Sequence, residues 1–303
     1  MNDDKKEIDK VTGRETTGHE WDGLKELNTP LPRWWLYCFY ASIVWAFGYF
    51  IVMPGWPVLT GDGWGASGGV IDYDQRRVVE EQVAENEARL DPYKQAINTK
   101  SFQQIKADPE LFQVAVTGGE IAFKENCAGC HGTGAQGFLG FPNLNDDDWI
   151  WGGSIEAIHT TLKHGVRWEA DDDTRYSEMP AFGADEVLTR GEVREVVDYV
   201  LSIAGRDHDA ELATKGAAIF EEQCSSCHGA QGMGNKDMGA PNLTDAIWLF
   251  GSERTQIYQT VFYARNAVMP AWSERLDEAT VKQLALYVHS LGGGEPSDVQ
   301  DAR

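Results

Sequence analysis

A chain of 303 residues and 33.7 kDa, 42% hydrophobic, has room for two or three small domains. Its formal charge of −22 argues against nucleic-acid binding and for solubility, with basic proteins as the natural electrostatic partners. The imbalance lies after residue 33: the first 33 residues carry six Lys/Arg against eight Asp/Glu, the remainder twenty against forty.

Residues 1–33 read as a polar N-terminal segment. From Trp34 to Leu59, 26 positions lack any charge, more than the roughly 20 residues needed to cross a bilayer. Trp34, Trp35 and Tyr37 at one end and Tyr49 and Trp56 at the other suit headgroup level. Pro54 and Pro57 are expected to end or kink this helix. Cys38 within it reads as a small apolar residue. A cleaved leader would begin with a short basic stretch, not 33 polar residues, so the segment is an uncleaved anchor. Lys25 and Arg33, with Lys10 and Arg14 further out, flank its N-terminal side, and no basic residue follows before Arg76. That asymmetry places the N-terminus in the cytoplasm and everything beyond residue 60 outside it.

Residues 60–112 read as a helical linker. Gly61–Gly69 suggests a flexible turn. Residues 74–91 suggest an exposed helix with a thin stripe of Val78, Val79, Val83 and Leu90, closed by Pro92, which serves either as a partner-binding face or as a solvated spacer. Asp108-Pro109-Glu110 supplies an N-cap, a first-turn proline and an acidic first turn for the next helix.

Two five-residue stretches then dominate: Cys127-Ala128-Gly129-Cys130-His131 and, 97 residues later, Cys224-Ser225-Ser226-Cys227-His228. Two thiols followed by an imidazole form the attachment signature of c-type haem, the thiols bonding the vinyl groups and the His ligating the iron. A zinc ribbon would bring its Cys pairs about 15–20 residues apart, and a thioredoxin-like pair needs no following His. Four of the five cysteines are thus assigned to haem, and no thiols remain for a disulfide framework.

Five blocks recur around these motifs. Gly119–Phe123 answers Gly216–Phe220, Pro142-Asn143-Leu144 answers Pro241-Asn242-Leu243, and Trp149 with Gly152 answers Trp248 with Gly251. Arg175 with Met179-Pro180-Ala181 answers Arg265 with Met269-Pro270-Ala271, and Val193–Leu201 with Tyr199 answers Val281–Leu291 with Tyr287. An internal duplication follows, with cytochrome domains over 113–206 and 207–303 and a junction near Ala204–Asp209. The glycines before each motif invite close approach by the Tyr-bearing helix. Pro142 and Pro241 are placed to offer a carbonyl to the far nitrogen of His131 and His228.

Met179 and Met269 are the matched candidates for the sixth iron ligand. Met233 and Met238 follow His228 too closely and have no counterparts, while His159 and His164 are rivals at the first haem only. A thioether ligand raises the potential and suits electron transfer. Whether Met179 serves the haem of His131 and Met269 that of His228, or the reverse, is open at this point. Arg175 and Arg265 are candidates for pairing with haem propionates.

The stretch from Asp22 to Trp35, including Pro30-Leu31-Pro32-Arg33-Trp34-Trp35, followed by one membrane helix, a helical linker and two cytochrome c domains, resembles the CcoP/FixP subunit of cbb3-type cytochrome c oxidases over nearly the whole chain. The resemblance implies a mainly α fold, two covalently bound haem c groups and a bacterial inner-membrane complex with a haem-copper catalytic subunit and a monohaem cytochrome c subunit. It implies that the chain accepts electrons from a donor cytochrome and passes them toward the oxygen-reducing centre of a proton-pumping respiratory complex; the acidic balance of the chain makes an acidic surface the expected docking face for that donor. The chain itself carries no oxygen-reducing, hydrolytic or group-transfer site. A free-standing dihaem shuttle and the cytochrome subunit of a periplasmic dehydrogenase are the alternatives.

Overall fold

The computed structural model describes residues 6–296 apart from 54, 62 and 72. Pro54 as a helix stop, and the tail beyond 296, lie outside the described residues. The chain divides into two units, Met1–Glu87 and Ala88–Arg303, with the division inside one helix.

In the first unit, strands β1 (Thr16–Trp21) and β2 (Leu24–Leu27) form an antiparallel hairpin, turned at Asp22-Gly23. Helix α1 (Arg33–Val52) follows Pro32 and is the one helix among the described residues long and apolar enough to span a membrane. None of its residues is buried. It stops short of the 34–59 apolar run, because strands β3 (Pro57–Thr60) and β4 (Gly63–Ala66) pair there. The region expected to be a flexible glycine turn is therefore half of a hairpin.

Helix α2 (Gln75–Thr99) runs through Pro92 instead of ending there. Tertiary anchoring outweighs the lost helical hydrogen bond: Ile97 is fully buried, and Lys282 Nζ donates to the Ile97, Asn98 and Lys100 carbonyls, capping the helix C-terminus. The capped α3 (Phe102–Lys106) follows, then α4 (Pro109–Asn126), whose N-cap Asp108 and N1 proline are as the sequence predicts. Next come α5 (Ala128–His131), α6 (Ile155–His164), α7 (Arg190–Ile203), α8 (Ala210–Gln223), α9 (Ser225–His228), a single 3₁₀ turn (Lys236–Met238), α10 (Arg254–Tyr263) and α11 (Glu278–Ser290).

Two apolar cores organise this second unit. One joins α4 and α6 to α11 through Leu111, Ala115, Phe123, Ile155, Leu162, Val281, Leu284 and Val288. The other joins α7 and α8 to α10 through Val193, Val196, Val197, Val200, Phe220, Ile257 and Val261. The cores thus do not separate at residue 206, where the repeat ends. The final helix of each repeat packs on the haem-motif helix of the other: α11 covers α4, and α7 covers α8.

The close crossings rest on glycine. A Cβ on Gly119 would meet the Gln283 carbonyl, and one on Gly216 the Glu195 carbonyl. Each crossing carries the same aromatic pair, Phe123 with Tyr287 at 5.5 Å and Phe220 with Tyr199 at 5.0 Å. Burying either Phe contributes about 2–3 kcal/mol.

Candidate haem centres

Each attachment motif sits where a long helix ends and a single turn begins. Cys127 closes α4 and opens α5, and Cys224 does the same between α8 and α9. This brings Cys127, Cys130 and His131 together on one turn, and Cys224, Cys227 and His228 on the other. Burial pushes the Cys127 and Cys224 thiols up to about 11, with their motif partners Cys130 and Cys227 adding to the rise.

The imidazoles are oriented as the prolines suggest: His131 Nδ1 lies 3.0 Å from the Pro142 carbonyl and His228 Nδ1 3.0 Å from the Pro241 carbonyl. With Nδ1 donating, Nε2 remains as the basic nitrogen for a metal. Burial lowers the pKa of both rings, which keeps them neutral and ligand-ready.

The methionines come from the opposite repeat. Met179 lines one cavity with Cys224, Cys227, His228 and Phe220. Met269 packs on the core that contains Cys127 and Phe123. A short backbone ladder holds Met269 there, its amide and carbonyl bonding those of Val166 at 3.0 and 2.9 Å. The rivals lie at acidic side chains: His159 Nε2 is 3.0 Å from Glu278 and His164 Nδ1 3.1 Å from Asp171.

Arg167 was not singled out from the sequence, since it has no counterpart in the second repeat. Its guanidinium donates to the Ala267 carbonyl, two residues before Met269, and to the Ser177 carbonyl, two residues before Met179. One side chain ties both methionine segments together. Its positive φ of 52° is the local sign that it stands at a special backbone position.

Arg175 and Arg265 occupy equivalent places. Arg175 donates to the Ala157 carbonyl and stacks over Trp151, while Arg265 donates to the Gln256 carbonyl and stacks over Phe250. Two buried donors of the first half, Arg175 Nε and Trp168 Nε1, have no protein partner. A cofactor with peripheral carboxylates fits such donors, and a Cys-Cys-His set with a methionine fits c-type haem.

These features define a cytochrome c-type protein with its attachment motifs in tandem behind one candidate membrane helix. Residues 13–60 match the family described as the N-terminal domain of cytochrome oxidase-cbb3, FixP. Residues 114–200 and 211–288 match cytochrome c oxidase, cbb3-type, subunit III. The chain is 52% identical over 281 residues to the cbb3-type cytochrome c oxidase subunit CcoP of Cereibacter sphaeroides, covering 92% of this chain and 95% of that protein. It is 49% identical over 295 residues to the subunit FixP of Rhizobium meliloti, covering 97% and 100%. The chain belongs to the CcoP/FixP subunit III family of cbb3-type cytochrome c oxidases.

Proposed function

We propose that the chain is the electron-entry subunit of a cbb3-type oxidase, carrying two covalent haem c groups between a donor cytochrome and a haem-copper catalytic subunit, beside a monohaem cytochrome c subunit. The observation that carries this reading is the doubled site itself: two His–Pro carbonyl pairs in one compact unit, with Met179 in the cavity of His228 and Met269 packed on the core that contains Cys127. Haem bound there supplies one-electron exchange at a potential raised by the thioether ligand.

The residues divide the work. Cys127, Cys130, Cys224 and Cys227 hold the cofactors covalently, and His131 and His228 ligate iron with their basicity raised by the prolines. Met269 completes the site of His131 and Met179 that of His228. With an imidazole and a thioether both holding the iron of each haem, oxygen reduction would fall to the catalytic partner. The two repeats, 113–206 and 207–303, form two haem domains that exchange their final segments. The N-terminal segment faces the cytoplasm, α1 anchors the chain in the inner membrane, and the haem unit stands on the periplasmic side, where its acidic surface favours a basic donor.

Two measurements test this. Purified with mild detergent, the chain is expected to travel with a haem b and copper subunit; isolation as a lone haem protein would refute the oxidase assignment. Met269→Ala is expected to lower the potential of the haem attached at Cys127/Cys130 by at least about tenfold in its ferrous/ferric ratio, leaving the other in place. Met179→Ala is expected to act on the haem at Cys224/Cys227, and the opposite pattern would overturn the crossed assignment.

A further inference from the structure

The repeat makes Arg175 and Arg265 counterparts, yet their donors are used differently. Arg265 Nε is 3.0 Å from Thr260 Oγ1, so the protein itself satisfies it. The residue matching Thr260 in the first repeat is Thr161, whose hydroxyl instead donates to the Ala157 carbonyl at 3.0 Å. Arg175 Nε is left buried without a partner, and so is Trp168 Nε1, whose own backbone amide donates to Thr174 Oγ1 next to Arg175 in the chain. Leaving such donors unmatched carries a desolvation cost, which an acceptor from outside the chain would recover.

The backbone says which cofactor is within reach. Val166 bridges to Arg175 on one side and to Met269 on the other, so Arg175 sits one rung from the methionine packed at the Cys127 core. Burial also disfavours the positive charge of Arg175, and the Asp237 carboxylate offsets that only in part, through space.

The position is also a junction. Trp151, which Arg175 overlies at 5.5 Å, packs on the backbone of Gly239, which lines the cavity of Met179 and His228, while Phe250, which Arg265 overlies at 5.0 Å, packs on Gly140 of the first repeat. Gly239 and Gly140 both have positive φ, 58° and 86°. A reciprocal aromatic-on-glycine seam therefore joins the two halves, with one arginine on each aromatic.

We propose that Arg175 Nε and Trp168 Nε1 bind a propionate carboxylate of the haem attached at Cys127 and Cys130, an anchor that Arg265 does not duplicate at the other haem. The proposal rests on the dihaem reading above. An arginine paired with the propionate cancels a negative charge that would otherwise stabilise ferric iron, and loss of that cation leaves the carboxylate free to do so. The midpoint potential of that one haem then falls.

The test uses the detergent-purified full complex, with covalent haem counted first by alkaline pyridine spectra. Fewer than two covalent haems per unsubstituted chain would overturn the dihaem reading itself, independently of the anchor. With two present, Arg175→Gln is expected to lower the potential of the Met269-dependent haem by about tenfold in ferrous/ferric ratio, about 59 mV for one electron, and to shift its propionate-bending resonance Raman band. Arg265→Gln is expected to shift its haem less. Arg175→Lys is expected to restore most of the potential but not the Raman band, since it keeps the charge and lacks Nε. An unchanged potential and band in Arg175→Gln, or a shift confined to the other haem, would overturn the anchor. If Arg175→Gln does not assemble, Trp168→Phe keeps the ring and removes one donor; an unchanged Raman band there would overturn the proposal.

Discussion

The two apolar cores share a plan and differ in how far the chain must travel to build them. In the second, α7 and α8 are neighbours joined by a six-residue turn, and their contact forms almost locally. In the first, α4 waits for α11, which begins more than 150 residues later, near the end of the chain. Closing that loop is entropically costlier and kinetically later, although the interfaces match in their Gly contact and Phe–Tyr pair. The first core is therefore the more dependent of the two on an intact C-terminus.

The C-terminal segment does more than contribute α11. Trp149 Nε1 donates to the Gly293 carbonyl at 2.6 Å, the Glu295 amide to the Gly153 carbonyl at 2.9 Å, and Lys282 caps α2. Stopping the chain after Asp277 is thus expected to have the largest effect: loss of the haem at Cys127/Cys130 with retention of that at Cys224/Cys227. Equal loss of both haems, measured by haem staining of tryptic fragments, would break the comparison.

The glycine crossings come next. Gly119→Ala and Gly216→Ala each force a Cβ onto a backbone carbonyl of the crossing helix, which cannot yield as a flexible side chain would. Each is expected to cost about 3 kcal/mol, seen as a lowered thermal midpoint with the loss centred on its own haem.

One buried position separates the cores chemically. Where the first buries Leu286, the second buries Asp198, whose carboxylate accepts from Arg254 and from the Asp209 amide. Arg254→Ala removes the cation and is expected to cost about 2 kcal/mol, discounted because Arg254 is half exposed. Adding Asp198→Leu, which copies the first core, is expected to recover most of it; a failed recovery in denaturant melts would mean the ion pair also sets the α7–α10 geometry.

The smallest effect is a pH dependence near the seam. Burial, then the charges of Asp245 and Asp146, raise Asp148 to about 6, with Lys236 opposing. The folded protein therefore keeps a proton that the unfolded chain has lost between about pH 4 and 6, and stability falls as pH rises through that window. Asp148→Asn is expected to flatten this fall and to gain about 1 kcal/mol at pH 7, after allowing for solvent screening of a half-buried group. Thermal midpoints taken from pH 4 to 8 check the sign.

Much of this was legible in the sequence. The charge-free run marked α1, Asp108-Pro109 marked the start of α4, and the paired motifs with Pro142 and Pro241 foretold both imidazole contacts. Pro92 and the glycines after the apolar run misled, because Lys282 capping and a β3–β4 ladder supply energies that local propensity does not include. Arg167 escaped notice because it ties the two halves together once, without a repeat to flag it.

By itself the sequence determined the anchor, the two attachment turns and the pair of candidate methionines, since each depends on residues a few positions apart or on a simple run of apolar side chains. Only the tertiary structure decided that α11 covers α4, that α7 covers α8, that Met179 lines a cavity with Cys224, Cys227 and His228, and that Met269 packs on the core containing Cys127. Duplicated segments carry the same glycine, aromatic and methionine, so either partner satisfies the local pattern. The choice between them rests on chain connectivity and on the packing of the whole unit.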